Sequence, residues 1–274
     1  VHASNVYQLE RRFKKIVMGT SKIALLQTSI FWKDQVRNIE RANQLLEKYS
    51  KGCDVVVFPE MFASGFSVQN PSDSAKHAPS TLEWMKGRAL RFDCAVVGTV
   101  IVSTPKGYVN RMYFVTPNEV FFYDKRHLFS LSSEGKHFVA GKNFITVKWR
   151  GFTYGLQICY DLRFPVFSRN THNYDVLLYS ANWPAPRIKA WDALLAARAI
   201  ENVCYCAGVN RVGEDGQGYN HPGHSAVYSY TGDCMDSAKE NKEDVIIVDV
   251  SKEELDQYRD RFPFLKDADE FSIT

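Results

Sequence analysis

No stretch of the chain approaches the ~18 consecutive apolar residues that a membrane helix needs, so no membrane partner is expected. Charge of one sign is also scarce. With 34 Lys and Arg against 31 Asp and Glu, the formal charge is +3. That is too little for the basic face that binds nucleic acid, and the basic residues are scattered apart from one N-terminal cluster. The six cysteines include no CxxC pair, and no Cys/His cluster has zinc-ligand spacing, so no metal site is expected. Cys53, Cys94, Cys204 and Cys206 lie in or beside apolar strand-like runs, which favours small buried thiols over disulfides. This usage points to a reducing compartment and a cytoplasmic protein. Internal repeats, low-complexity tracts and clear linkers are missing as well.

What is present is ordinary globular material, 45% hydrophobic and 24% charged. Residues 1–17 begin with Val rather than Met and hold Arg11, Arg12, Lys14 and Lys15 without an apolar h-region, so they are no secretory signal. They read as an N-terminal extension or a tag remnant before a natural start at Met18, with a trimmed organelle-targeting segment as the other reading. Residues 18–274 are expected to form a single domain.

Hydrophobic periodicity lays out the elements. Strands are predicted at Lys22–Thr28, Asp54–Phe58, Cys94–Val102, Gly107–Val115 and Glu119–Tyr123, on both sides of Trp149–Gly151, and at Asp175–Ser180, Val203–Asn210, His224–Tyr230 and Asp244–Val250. Asp54–Phe58 is apolar at nearly every position, as in a strand buried on both faces. Helices are predicted at Lys33–Ser50, with Val36, Ile39, Ala42, Leu45 and Leu46 on one face, at Ser80–Phe92 capped by Ser80 with Glu83 at the capping-box position, at Arg187–Asn202, and at Ser251–Tyr258 capped by Ser251. Crossovers mixed with hairpins suggest one α/β domain whose sheets are covered by helices, not an all-parallel sheet.

Three reactive side chains follow directly on apolar strands: Glu60, Lys125 and Cys159. Strand ends are where α/β proteins gather catalytic groups. A free thiol has a pKa of about 8.5 and is mostly protonated at neutral pH. A carboxylate beside it can take its proton as it attacks an amide carbon, then return a proton to the departing amine. A lysine ammonium and the backbone N–H after the cysteine, that of Tyr160, would hold the oxyanion; losing one such donor typically costs ~3 kcal/mol. A Cys-His pairing with His127 is the competing nucleophile reading. Cys159 as an inert core thiol and Lys125 as a surface lysine are the bland ones.

These blocks resemble those of the nitrilase superfamily, the carbon–nitrogen hydrolases with a Glu-Lys-Cys triad. Phe58–Phe62 is similar to the glutamate motif, Tyr123–Leu128 to the lysine motif, and Gly155–Pro165, with Cys-Tyr-Asp-x-Arg-Phe-Pro inside it, to the cysteine motif. Ser180–Pro184 resembles the segment beside the pocket. Arg198–Asn202 resembles a helix end whose Arg and Glu are structural. The resemblance implies a four-layer α-β-β-α sandwich of two mixed sheets with two helices on each outer face. It also implies a second catalytic glutamate, at Glu134, and a homodimer or larger homo-oligomer. No metal or organic cofactor is implied.

Phe58–Ser67, Gly208–Gly213 and Gly223–Ser225 resemble the omega-amidase branch, which hydrolyses the side-chain amide of 2-oxoglutaramate or 2-oxosuccinamate through a thioester. His224 departs from the small or acidic residue usual before the serine. A carboxylate on the small-molecule amide calls for a cation, so Arg163 and Arg211 are candidates, with pairing to Asp161 as the other role for Arg163. Phe62, Phe66 and Trp183 are candidate walls, and Tyr160 a further substrate contact. Other branches (aliphatic amidase, carbamoyl-amide hydrolase, nitrilase) and a non-catalytic binding protein of the same fold stay open.

Overall fold

The computed structural model describes residues 19–273, so the expected extension at 1–17 lies outside the described residues. Within the described residues, fourteen strands form two six-stranded sheets and one two-stranded ribbon. The first sheet has the order β14-β1-β2-β3-β4-β5, built from β1 (Thr20–Gln27), β2 (Val55–Val57), β3 (Ala95–Thr104), β4 (Gly107–Val115), β5 (Val120–Asp124) and β14 (Asp244–Ser251). The second has the order β13-β12-β9-β8-β7-β6, built from β6 (Thr146–Trp149), β7 (Phe152–Ile158), β8 (Val176–Ala181), β9 (Tyr205–Asn210), β12 (Ala226–Tyr228) and β13 (Cys234–Ser237). The ribbon pairs β10 (Val212–Glu214) with β11 (Asn220–Pro222) inside the Gly-rich loop between β9 and β12. Both large sheets are mixed: β1, β2 and β3 run parallel, as do β7, β8 and β9, and antiparallel strands flank each trio.

Period-two alternation decides which layer each side chain enters. In β1, Ile23 and Leu25 face the second sheet and join Val57, Val97, Leu156, Ile158 and Leu178 in the central core. Ala24 and Leu26 point the other way, onto the helices α1 (Gln35–Tyr49) and α3 (Ala78–Phe92). Both faces are apolar because both are covered, which gives the layered α-β-β-α order. The second sheet carries α6 (Ile188–Asn202) through Trp191, Leu195 and Ala199. Gly208 of β9 permits that contact: a Cβ there would stand 2.7 Å from both Leu195 and Trp191. The one-turn α5 (Pro165–Ser168) covers the same face, with Ser168 Oγ 3.1 Å from the Tyr179 hydroxyl.

Some sequence expectations are corrected. α3 begins at Ala78 because Pro79 starts the helix, so Ser80 lies inside it and donates to the His77 carbonyl instead of capping. Glu83 then pairs with Lys86 rather than closing a capping box. Val36 of α1 is 76% exposed. The buried residue of that first turn is polar: Asn38 bonds both backbone groups of Phe31 and the Ala63 carbonyl. The short helices α2 (Pro71–Ala75) and α4 (Glu134–His137) were not among the predicted elements. By contrast, α7 (Lys252–Arg261) is capped as expected, with Ser251 Oγ accepting from the Glu254 N–H.

Candidate active site

Strand ends bring the reactive groups together. Lys125 follows β5, Cys159 follows β7 and Asn182 follows β8, while Glu60 comes just after β2. The two sheets are stitched at this point. Ser180 Oγ donates to the Phe58 carbonyl, and the Asn182 N–H to Glu60 Oε2, each at 2.9 Å. Lys125 Nζ lies 3.1 Å from Glu60 Oε1 and 2.9 Å from Glu134 Oε2. Glu134, carried by α4, is locked in turn by the Phe129 N–H at 2.7 Å. Asn110 on β4 spans the two acids, its Nδ2 donating to Glu60 Oε1 at 2.7 Å and to Glu134 Oε1 at 3.2 Å. Glu60, Lys125 and Glu134 are buried, and Cys159 is barely exposed.

The cysteine turn is strained. Cys159 sits at φ 45° and Met61, beside Glu60, at φ 50°. Such left-handed values are costly for side chains with a Cβ and persist only where the surroundings enforce them. Asp161 does much of that enforcing. Its carboxylate accepts from the Ile158 N–H (2.9 Å), the Tyr123 hydroxyl (2.7 Å) and the His127 N–H (3.0 Å). The His127 ring contacts Asp161 Oδ1 through Nδ1 at 2.8 Å and stacks on Phe164 at 3.8 Å, a structural placement rather than a dyad with the thiol. Arg198 braces the same turn by donating to the Leu162 carbonyl, and its Nη1 lies 2.9 Å from Glu201.

Electrostatics sets the resting protonation. Burial pulls the Lys125 pKa down, but Glu134 and Glu60 outweigh it and hold the ammonium above its ordinary range. Burial pushes Glu134 up against the pull of Lys125. Cys159 is pushed well up by burial first and by the Glu60 charge second. The resting sulfur is therefore a thiol; it donates to the Asn182 carbonyl at 3.8 Å, and the N–H of the same Asn182 binds Glu60 Oε2. Two carboxylates and one ammonium leave a net charge of about −1 in a closed site, so losing the thiol proton to bulk water would add a second uncompensated charge. Transfer to Glu60 leaves the net charge unchanged.

A cavity of about 530 Å³ opens on Cys159 and Lys125. Phe66, Tyr160, Arg163 and Trp183 all line it, and Lys125 Nζ stands 5.6 Å from the Phe66 ring centre. Arg163 is exposed and lies 5.1 Å over the Trp183 ring; Asp161 is fully committed to other donors and does not pair with it. Arg211 is a correction. It is buried off the cavity wall, donating to the Val212, Glu214 and Ile30 carbonyls, and burial lowers its pKa to about 10. Phe62 is likewise corrected: it stacks on Phe58 in the core under α1 and α3. His224 lies off the wall and pairs with Asp192 at 3.0 Å.

The sequence reading missed Asn110, Asn182, Lys136 and Arg187. Asn182 stood inside the Ser180–Pro184 block already singled out. Arg187, on the wall and 5.0 Å over the Phe129 ring, carries no signal beyond a helix start. A second cavity of about 260 Å³, beside Lys33, Asp73 and His77, holds none of the reactive groups. Among the described residues, no cluster of three or more His, Cys, Asp or Glu is placed to hold a metal, and no helix is long and apolar enough to cross a membrane.

The carbon-nitrogen hydrolase family model matches residues 22–260. Omega-amidase YafV of Yersinia enterocolitica is 43% identical over 257 residues, 93% of this chain and 100% of that protein. The 2-oxoglutaramate amidase of Bacillus subtilis is 32% identical over 251 residues, 89% of this chain and 96% of that one. A CN-hydrolase superfamily protein from Xanthomonas campestris, with an arsenic adduct in its active site, superposes with a TM-score of 0.90 at 38% identity, covering 93% of this chain and 99% of that one. The chain belongs to the carbon–nitrogen hydrolase family of the nitrilase superfamily and is a hydrolase acting on carbon–nitrogen bonds.

Proposed function

We propose that this hydrolase is an omega-amidase, releasing ammonia from the side-chain amide of a 2-oxo dicarboxylate monoamide such as 2-oxoglutaramate or 2-oxosuccinamate. One observation carries the reading: the Cys159 thiol and the buried Glu60 carboxylate are both held by the Asn182 backbone, beneath a cavity whose walls carry Arg163 and Arg187. Relatives that span the chain are described as omega-amidase and 2-oxoglutaramate amidase, which supports the substrate class.

The proposed chemistry uses side chains alone. Cys159 Sγ attacks the amide carbon while its proton passes to Glu60. The carbonyl oxygen becomes an oxyanion, held by Lys125 and the Tyr160 N–H. The C–N bond breaks as Glu60 returns the proton to the leaving nitrogen, giving ammonia and a thioester. Water then attacks the thioester, again losing its proton to Glu60, and the thiol leaves as the carboxylic acid forms. Glu134 keeps Lys125 charged and in place throughout. Arg163 and Arg187 hold the distal carboxylate, with Phe66, Tyr160 and Trp183 packing the carbon chain. The active unit is proposed to be a homodimer, which sedimentation would check.

Cys159→Ala should abolish ammonia release from 2-oxoglutaramate while leaving the circular dichroism spectrum intact. Turnover by that variant would refute the nucleophile. A substrate panel tests the class: wild-type preference for a nitrile, a carbamoyl amide or an uncharged aliphatic amide over 2-oxoglutaramate would move the protein to another branch.

A further inference from the structure

We propose that Asn110 is the positioning residue that keeps Glu60 ionised and aimed at Cys159. The inference rests on the proposed reading of Glu60 as the base.

Asn110 lies inside β4, opposite Ile101 of β3, and is fully buried. It touches every charged member of the site. Both side-chain donors are spent on the acids, at 2.7 Å to Glu60 and 3.2 Å to Glu134. Its backbone carbonyl accepts the Lys125 N–H at 2.9 Å, fixing the lysine at its root. The amide orientation is set by charge, since a carbonyl turned toward two carboxylates would be repelled. The remaining atom, Oδ1, is buried with no hydrogen-bond partner among the described residues. An orphan acceptor is expensive in a closed interior. A side chain kept for packing alone would be better as Leu, which fills similar space with no orphan. The useful end of Asn110 is therefore its NH2 group.

That group answers the charge imbalance. The ionisable groups packed on Glu60 are Lys125, Glu134 and Cys159, and those on Asn110 are Glu60, Glu134 and Lys125. One ammonium serves two carboxylates, and like charges in one site raise the proton affinity of one of them. If that proton rested on Glu60, the base would be spent before the thiol arrived. Neutral donors stabilise both ionised acids without adding a charge that would compete with Lys125 for the oxyanion. The shorter bond goes to Glu60, and it engages Oε1. Oε2 accepts the Asn182 N–H, which leaves it a lone pair for the thiol proton.

The test follows the acid limb of kcat/KM for 2-oxoglutaramate in Asn110→Leu and Asn110→Asp. Loss of donors to a carboxylate raises its pKa, so the acid limb should move up by about one pH unit in Asn110→Leu, and further in Asn110→Asp, where a third carboxylate enters. At a pH below the limb, kcat should fall about tenfold for each pH unit that the limb has moved, with recovery toward wild type at higher pH. KM should change less than about twofold, because Asn110 is not on the cavity wall. The rate of Cys159 alkylation by iodoacetamide should shift along pH in parallel. Should one variant fail to fold, the other carries the same readout, since they differ in charge but both lack the NH2. A pH-independent loss, or an unmoved acid limb in a folded variant, would overturn the inference. Glu60→Gln separates the two readings: if it stays active, the base assignment fails; if it is inactive while the Asn110 variants keep the wild-type limb, only the role of Asn110 fails.

Discussion

Charge in the site is balanced by individual atoms, and the cavity wall continues that logic outward. Lys125 is committed to Glu60 and Glu134, so it cannot also serve the far end of an anionic substrate. Asp215, the acidic residue on the wall, already accepts from the Gln217 and Tyr219 N–H groups. Arg163 and Arg187 each lie over an aromatic ring, 5.1 Å and 5.0 Å from its centre, a cation–π contact that does not use the guanidinium donors. Arg187→Gln and Arg163→Lys should each raise KM for 2-oxoglutaramate by about 10- to 100-fold while kcat falls only slightly, as expected when binding common to ground and transition states is lost. Steady-state kinetics beside an uncharged aliphatic amide checks this; an equal loss on the uncharged substrate would remove the carboxylate-binding role. At this scale the sequence was informative where chemistry coincides with a break in pattern. Glu60, Lys125 and Cys159 each interrupt an apolar run. Asn110 sits mid-strand like any polar residue, and Arg211 looked like a pocket cation because nothing in its neighbours reveals that the chain turns it inward after β9.

The elements carry the site through contacts that one atom can disturb. α6 rests on the second sheet over Gly208, and the same helix sends Arg198 to the Leu162 carbonyl in the cysteine turn. Gly208→Ala would force a Cβ into Leu195 and Trp191. Overpacking of this kind costs about 1–3 kcal/mol, so the melting temperature should drop, and the displaced Arg198 should lower kcat more than it raises KM. Calorimetry with kinetics decides it; an unchanged melting temperature would mean that the helix shifts without cost. Strand positions were legible because alternation and apolar runs are local signals, and Gly107–Val115 is found with the expected bounds. Helix starts were less so. The choice between Ser80 and Ala78 depended on whether Pro79 entered the first turn, which the packing of α3 on the first sheet settled. The one-turn helices α4 and α5 are too short to show periodicity and exist because tertiary contacts hold them.

For the molecule as a whole, the two sheets and the ribbon unfold against a background of buried titratable groups. His221 of β11 is buried with Nδ1 3.3 Å from the Gly213 carbonyl. Burial first, then the Arg211 guanidinium, lowers its pKa from 6.5 to about 4. A histidine depressed in the folded state is neutral there while the unfolded chain takes up a proton. Its stabilising contribution is thus full above pH 6.5 and is lost as pH falls toward 4, on the order of 3 kcal/mol. His221→Gln should flatten the fall of urea-unfolding free energy across that window. A variant curve parallel to wild type would show that His221 does not drive it.

The sequence by itself determined an α/β domain with helix-covered sheets, the positions of most strands along the chain, the placing of Glu60, Lys125 and Cys159 at strand ends, and the capped start of the last helix. All of these are written in short windows, as periodicity, strand ends and motif spacing. Only the tertiary structure decided which cations face the cavity, that a mid-strand asparagine spans two carboxylates, and that Asp161 and His127 brace the cysteine turn instead of reacting. The physical reason is distance along the chain. Glu60, Asn110, Lys125, Glu134 and Cys159 acquire their protonation and orientation from one another, and those neighbours exist only once the sheets have closed face to face.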